Sequence, residues 1–255
     1  MNVPLTDQQN NELSNWSYRV DASKFGKKSI RSGRVFIDKT KQQYKVINAL
    51  DDKKTGFQGM AVAPYVNGKP DYHNIQIAIA GTNAMDVKDD FTDATQIPEA
   101  QNAIDTFIWK TSMFTSKKGI LEFMVVNSMK RQLKHPVRNY GAGATKSGKS
   151  QFSVANRFYN NTVSKLKQKG FSANDIKHGT GHSLGGALIF YLAAKHHFPM
   201  TAFSSADPTS NLSSKDLDYI KKHPDMFKDY YHSSDVISNW QDSTHLGKYF
   251  SVSEF

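Results

Sequence analysis

The sequence predicts an α/β fold, with a mostly parallel central sheet and helices on both faces. Two observations predict it. Apolar segments with the composition of strands alternate with longer segments that have helical spacing, most clearly from residue 151 onward. The 255 residues are 38% hydrophobic, and no linker-like stretch divides them, so we expect one domain over 1–255. Alternation of this kind favours a parallel sheet covered on both sides.

The elements are predicted in chain order. Residues 1–40 are polar and basic, and we expect an N-terminal arm with room for one helix. The segment 72–82 is the clearest strand, because Ile75, Ile77 and Ile79 are β-branched and Gly81 follows. The other extended segments are 44–50, 56–66, 200–208, 226–235 and 247–253, and the helices are 100–114, 118–134, 151–170 and 213–224.

Composition excludes several classes of site. The chain has no cysteine, so it forms no disulfide and no zinc–cysteine centre. Its first sixteen residues, MNVPLTDQQNNELSNW, lack the basic start and apolar run of a secretory signal peptide. No segment approaches the roughly 18 apolar residues of a membrane span. If the protein is exported, another route or a further segment must direct it.

The net charge of +10 is concentrated in one region. Residues 110–149 contain nine Lys or Arg and a single acid, Glu122, which gives this stretch a charge of +8. A solvated helix face with a basic loop is one interpretation, and peripheral contact with an anionic membrane is another. Nucleic acid is not expected as a partner, because no nucleic-acid-binding signature accompanies the charge.

Two motifs imply different chemistries. Residues 143–150, GATKSGKS, match the phosphate-loop pattern G-x-x-x-x-G-K-[ST]. A phosphate loop needs a buried strand before its first glycine and a helix that begins at the Lys-Ser pair. The preceding residues, KRQLKHPVRNYGA, contain Pro136 and several charged side chains, so they do not form a central strand. We therefore expect no bound nucleotide.

The second motif has the context that it requires. Residues 179–187, GTGHSLGGA, contain G-x-S-x-G centred on Ser183. A strand-like segment with Ile176 precedes it, and an apolar helix follows it, as in a nucleophile elbow. Gly181 and Gly185 leave space where strand and helix cross, and Gly186 allows closer packing. The helix N-terminus favours negative charge that develops at Ser183.

These residues resemble a known family. GTGHSLGGAL is similar to the elbow of class 3, fungal-type lipases in the α/β-hydrolase superfamily, including their bacterial lipase-like relatives. A second block, IAIAGTNAMDVKDDFTDA, resembles the family's strand that ends in Arg-Gly-Thr, although Ala80 replaces the Arg. The similarity extends roughly over residues 55–250. It implies an α/β-hydrolase fold with a helical lid-like insertion, for which residues 97–149 are the candidate.

The resemblance also implies site residues. Thr82 and Leu184 would form the oxyanion hole, and an acid and a histidine would follow Ser183 in the chain. Asp235 follows a strand and a short loop and resembles the acid of the family's Asn-x-x-Asp-x-Val segment. Asp207 is the alternative acid, but before Pro208 it is expected to form a turn.

His245 is the only histidine after Asp235, in THLGKYF, so it is the predicted base. It resembles the His-x-Gly that precedes the family's final strand. No metal or cofactor is needed by a Ser–Asp–His triad. The expected function is hydrolysis of acyl esters of lipids by a lipase or phospholipase.

Apolar side chains within the insertion are the candidate acyl-binding residues: Phe107, Trp109, Met113 and Phe114. Beside the +8 stretch, they suit an interface of acyl chains and anionic headgroups. Ordinary amphipathic core helices would give the same pattern. A non-catalytic module that binds anionic lipid on a hydrolase fold is the competing function.

Overall fold

A computed structural model describes residues 4–81, 150–232 and 246–252, with the side chains of residues 210, 232 and 252 excepted. The strands are β1 (Val35–Ile37), β2 (Gln43–Asp52), β3 (Phe57–Val66), β4 (Lys69–Pro70), β5 (Ile75–Ile79), β6 (Ile176–His182), β7 (Met200–Phe203), β8 (Phe227–His232) and β9 (Lys248–Val252). The α-helices are α1 (Asp7–Ser17), α2 (Ala22–Phe25), α3 (Gln151–Lys167), α4 (Leu184–His196) and α5 (Ser214–Lys222). Short 3₁₀ turns occur at Tyr18–Val20, Gly26–Lys28, Ala173–Asp175, Thr209–Asn211 and Pro224–Met226.

The described strands form one mixed nine-stranded sheet, in the order β1-β2-β3-β5-β6-β7-β8-β9, with β4 beside β3. Strands β1 to β5 pair antiparallel, whereas β5 to β9 pair parallel. The predicted α/β fold is therefore confirmed, and its parallel half holds the Ser183 motif. Parallel strands place their carboxyl ends at a common edge, and this edge carries Ser183.

Helices cover both faces of the sheet, as predicted. Along β3, Ala61 and Ala63 point into the core that contains α3, α4 and α5, whereas Met60 and Val62 pack with α1. This alternation follows from the two-residue period of a strand. Helix α4 is apolar nearly all round and buried between the sheet and its neighbouring helices.

The N-terminal residues differ from the predicted arm. Helix α1 begins after a capping box formed by Thr6 and Gln9 and packs on the sheet. Its Leu13 is fully buried, and the Thr180 hydroxyl in β6 donates to the carbonyl of Asn10 at 3.0 Å. The helix buries mainly small polar side chains instead of an apolar stripe, which is why its sequence resembles an exposed segment.

The predicted helices at 100–114 and 118–134 lie outside the described residues. Elsewhere, the predicted strands and helices are present with ends that differ by a few residues, as is usual at element boundaries. Within the described ranges, no helix is long and apolar enough to cross a membrane.

Candidate functional site

Ser183 occupies a sharp turn between β6 and α4. Its backbone angles are φ 54° and ψ −125°, which is a conformation that non-glycine residues rarely adopt. The backbone N–H of Ser183 donates to the carbonyl of Phe203 at 3.1 Å. Its own carbonyl accepts from Gly186 at 2.9 Å and from Ala206 at 3.1 Å. These bonds to β7, to α4 and to the loop after β7 hold the turn against its local strain.

Glycines allow the strand and helix of the turn to touch. A Cβ at Gly181 would lie 2.3 Å from the carbonyl oxygen of Gly185, and one at Gly185 would lie 2.3 Å from that of Ile79. A Cβ at Gly186 would lie 2.8 Å from the Ser205 Cβ. The predicted steric reason for all three glycines is confirmed. The half-buried Ser183 thus stands at the carboxyl edge of β6, with α4 directly behind it.

The N-terminus of α4 supplies one predicted oxyanion donor. Leu184 is the first residue of this helix, and the first N–H groups of a helix have no acceptor within it. Its side chain is buried in the core, which fixes the backbone at this point. The Leu184 N–H and the helix dipole therefore offer positive potential beside Ser183.

The second predicted donor, Thr82, lies outside the described residues, but its neighbour Gly81 lies beside the turn. A Cβ built on Gly81 would lie 3.0 Å from the Cβ of Ser183 and 2.3 Å from the carbonyl oxygen of His182. The Gly81 position thus requires glycine, and the chain leads from it into Thr82. This is the place from which a second backbone donor could approach Ser183.

Two aspartates behind the turn have structural roles. Asp207 accepts hydrogen bonds from the backbone N–H of Thr209 at 2.8 Å and from its hydroxyl, as a turn-forming residue does. Asp229 is buried in β8 and accepts from the backbone N–H of Ser205 at 3.3 Å. Asp207 is therefore a turn former, as expected. The predicted acid, Asp235, lies outside the described residues, three positions after the end of β8.

The predicted base, His245, also lies outside the described residues, but its neighbours Leu246 and Gly247 are placed. A Cβ on Gly247 would lie 2.4 Å from the carbonyl oxygen of Phe227, at the start of β8. Because β9 runs parallel to β8, Gly247 lies at the edge opposite to Ser183.

Three strand intervals of about 4.8 Å lie between β6 and β9, so Gly247 is about 14 Å from Ser183 across the sheet. Four residues with a rise of about 3.3 Å each separate the two by about 13 Å along the strands. The described residues thus place the start of β9 at the edge opposite to Ser183. The role of His245, which lies before them, stays a prediction.

One contact at the turn was not predicted from sequence. Tyr18, just after α1, shares a hydrogen bond of 2.9 Å between its hydroxyl and Nδ1 of His182. The two residues are 164 positions apart, and Tyr18 belongs to the segment expected to be an arm. No short motif marks such a pair.

Two histidines in the strand and helix that flank the turn are held neutral. Burial lowers the pKa of His178 in β6 to about 4, and its Nε2 lies 3.0 Å from the Thr201 hydroxyl. Burial also lowers the pKa of His196 in α4 to about 4, with nearby Lys195 adding to the effect. Both imidazoles are therefore uncharged at neutral pH and serve as structural groups.

The phosphate-loop motif is described only at its last residue. Ser150 is extended, and its hydroxyl accepts from the backbone N–H of Ser153 at 3.1 Å as the N-cap of α3. Helix α3 therefore starts directly after the Lys-Ser pair, and the residues before the first glycine of the motif, where a phosphate loop needs a strand, lie outside the described residues.

The candidate acyl-binding residues Phe107, Trp109, Met113 and Phe114 and the +8 stretch lie outside the described residues. Within the part of the chain that the structure describes, no group of three His, Asp or Glu side chains is arranged to hold a metal ion.

Comparisons with known proteins give one structural likeness. No family model matches the sequence, and no curated protein matches it. The chain is similar to a solved structure described as "Rhizomucor miehei lipase propeptide complex, native", with a TM-score of 0.47 and 14% sequence identity. The match covers 98% of this chain and 70% of that one.

Proposed function

We propose that the protein is a serine hydrolase that cleaves acyl esters, with Ser183 as the nucleophile. The backbone of Ser183 carries this proposal: a non-glycine residue at φ 54°, between a parallel strand and the N-terminus of a buried helix. A serine there presents its hydroxyl above the carboxyl edge of the sheet. Positive φ also occurs at Lys41, Asn67, His197 and Ser204, so the proposal rests on the place of Ser183 in the turn as well as on its φ.

The proposed chemistry is acyl transfer to Ser183 and then to water. A histidine takes the hydroxyl proton as Ser183 attacks the ester carbonyl, and Asp235 orients that histidine and stabilises its cation. The N–H groups of Leu184 and Thr82 hold the oxyanion, and one such donor is typically worth about 3 to 4 kcal/mol. Protonation of the leaving alcohol and attack by water then release the acid.

The direct test is hydrolysis of a short p-nitrophenyl ester. Ser183→Ala should lower kcat by about 10⁴-fold or more without unfolding the protein. Asp235→Asn should be severe, and Asp207→Asn should be mild because Asp207 forms a turn. Full activity in Ser183→Ala would exclude the nucleophile, and the reverse order of the two aspartate variants would exclude Asp235.

Two histidines are candidates for the base. His245 is the residue predicted from sequence. His232 is the last residue of β8, and its backbone lies at the sheet edge that carries Ser183. His245 keeps the expected order of serine, acid and histidine, so His245→Ala should lower kcat more than His232→Ala. A larger loss in His232→Ala would assign the base to His232.

We further propose that the ester is a lipid ester and that the enzyme meets it at an anionic membrane. The support is the sequence pattern: the apolar residues Phe107, Trp109, Met113 and Phe114 beside the +8 stretch. Each Lys or Arg near an anionic surface contributes roughly 1 kcal/mol of attraction, and salt weakens it. Hydrolysis of phosphatidylglycerol vesicles should therefore exceed that of neutral vesicles at low salt.

Charge reversal tests which part of the protein binds the membrane. A variant with Glu at Lys117, Lys118, Lys130 and Arg131 should lose vesicle binding but keep turnover of the soluble ester. The matched control places Glu at four exposed lysines of the N-terminal region: Lys24, Lys27, Lys28 and Lys41. Equal losses in both variants would mean that overall charge, and not the +8 stretch, drives binding. Vesicle binding without hydrolysis of any ester would instead support the non-catalytic lipid-binding module.

A further inference from the structure

We infer that Tyr18 is a positioning residue for the proposed reaction and acts through its hydroxyl on the two chain segments that border Ser183, at the His182 side chain and at Gly81. This inference rests on the proposed function. It assigns part of the site to the N-terminal segment, which carries none of the predicted catalytic residues.

The Tyr18 hydroxyl lies between the two segments. It shares a 2.9 Å hydrogen bond with Nδ1 of His182, the residue directly before Ser183. It also lies 2.7 Å from the position that a Cβ on Gly81 would take, and the Cβ of Ser183 lies 3.0 Å from the same position. One phenol oxygen therefore contacts the residue before the nucleophile and lies against the residue before Thr82.

The protein holds Tyr18 firmly. The carbonyl of Tyr18 accepts from the N–H of Asp21 at 3.3 Å, and the carbonyl of Arg19 accepts from the N–H of Ile30 at 2.8 Å. Before it, Leu13 anchors α1 in the core. The Arg19 guanidinium lies 4.2 Å from the centre of the Trp16 ring, which itself stacks on Phe36. Because the chain is anchored both before and after Tyr18, the Tyr18 side chain can hold the residues that it contacts in place.

The position of these two segments matters because the proposed oxyanion donors come from both. Leu184 follows His182 and Ser183, whereas Thr82 follows Gly81. Donors stabilise the oxyanion only when both reach it at hydrogen-bond distance, and a misplacement of about 1 Å can cost about 100-fold in rate. Tyr18 sets the separation of the segments by bonding one and abutting the other.

The first experiment removes only the hydroxyl. Tyr18→Phe keeps the ring and should lower kcat for p-nitrophenyl acetate about tenfold, with KM and the urea midpoint unchanged. The matched control is Tyr230→Phe, because Tyr230 donates to Asp7 Oδ2 at 2.5 Å and so ties the other end of α1 to the sheet. Tyr230→Phe should leave kcat unchanged.

The second experiment tests the partner. His182 is exposed, so its replacement should be tolerated by the fold. His182→Ala should reproduce the loss of kcat, whereas His182→Asn should retain activity, since an amide can occupy the place of Nδ1. The double variant Tyr18→Phe/His182→Ala should be no slower than either single variant, because both remove one shared interaction.

The remaining outcomes contradict either the role of Tyr18 alone or the proposed function as a whole. Wild-type kcat in Tyr18→Phe, an equal loss in Tyr230→Phe, or additive losses in the double variant would overturn the positioning role while the serine hydrolase stands. Hydrolysis that is absent from the wild type, or unchanged in Ser183→Ala, would overturn the proposed function and the role of Tyr18 with it.

Discussion

Ser183 combines a half-buried position at the sheet edge with a strained backbone. A residue held in such a sparsely populated conformation costs on the order of 1 to 3 kcal/mol. A glycine at this position would not be strained. Its greater chain entropy in the unfolded state would, however, lower the stability of the fold by about 0.5 to 1 kcal/mol. Other described residues, such as Ser204, also have positive φ, so the strain supports a functional role for Ser183 together with its place between β6 and the N-terminus of α4.

A stability measurement can detect the strain. Ser183→Gly should be more stable than Ser183→Ala by about 1 kcal/mol, because only glycine adopts φ 54° without steric cost. Both variants lack the hydroxyl, so the comparison isolates the backbone. Urea unfolding of the two purified variants gives the difference. An alanine variant as stable as the glycine variant would mean that the turn is unstrained.

The sequence predicted some residues of the site and not others. Ser183, Gly181 and Gly185 were found because a local motif encodes a local crossing of strand and helix. Tyr18 was not found, because its contact with His182 depends on where α1 packs. His245 was assigned by its order in the chain, and it stays a prediction because it lies outside the described residues.

At the scale of elements, the contact between α4 and β5 fixes the site. The Gly185 backbone rests on the carbonyl group of Ile79, so the helix N-terminus meets the strand that leads to Gly81. The carboxyl end of β5 and the start of α4 are thereby adjacent. This contact brings the two predicted oxyanion segments together.

A methyl group added at Gly185 should push these two segments apart. Gly185→Ala places a Cβ 2.3 Å from the Ile79 carbonyl oxygen, and neither backbone can easily move. We expect a loss of about 3 kcal/mol or more in the free energy of unfolding, at the upper end of overpacking effects. Gly59→Ala is the control, since its nearest contact at 2.8 Å is the end of the Phe57 ring. Similar urea midpoints for the two variants would contradict this account of the contact.

Helices and strands were predictable to different degrees. Helix α3 and strand β5 follow from periodicity and β-branched residues, and both are present. Helix α1 was expected only within an arm, because it packs through Leu13 and small polar residues such as Ser14 and Ser17. Sequence periodicity detects an apolar stripe and misses a helix that buries polar groups through tertiary contacts.

At the scale of the whole molecule, the change from antiparallel to parallel pairing at β5 organises the site. From β5 to β8, every described strand delivers its carboxyl end to the edge that carries Ser183. Alternation of helices and strands predicted this half of the sheet. The antiparallel half could not be assigned from alternation, because its strands follow one another without helices.

The pH dependence of stability tests the buried histidines. The pKa of His178 is about 4 in the folded protein against 6.5 for a free side chain, so the unfolded chain takes up a proton first. Stability should therefore fall as the pH falls from about 6.5 to about 4. His178→Gln keeps a side-chain nitrogen near Thr201 but does not titrate, so it should lose less stability between pH 7 and pH 5. Equal losses in the wild type and the variant, measured by urea unfolding, would exclude this contribution.

An activated nucleophile at Ser183 would react covalently with a phosphonylating reagent, and such labelling tests the proposed role of Ser183 most directly. The folded protein is treated with a fluorophosphonate, digested and analysed by mass spectrometry. We expect one adduct, on the peptide that contains Ser183, and none in Ser183→Ala or in urea-unfolded protein. An unlabelled wild-type protein, or an adduct on another serine that persists in Ser183→Ala, would contradict this role.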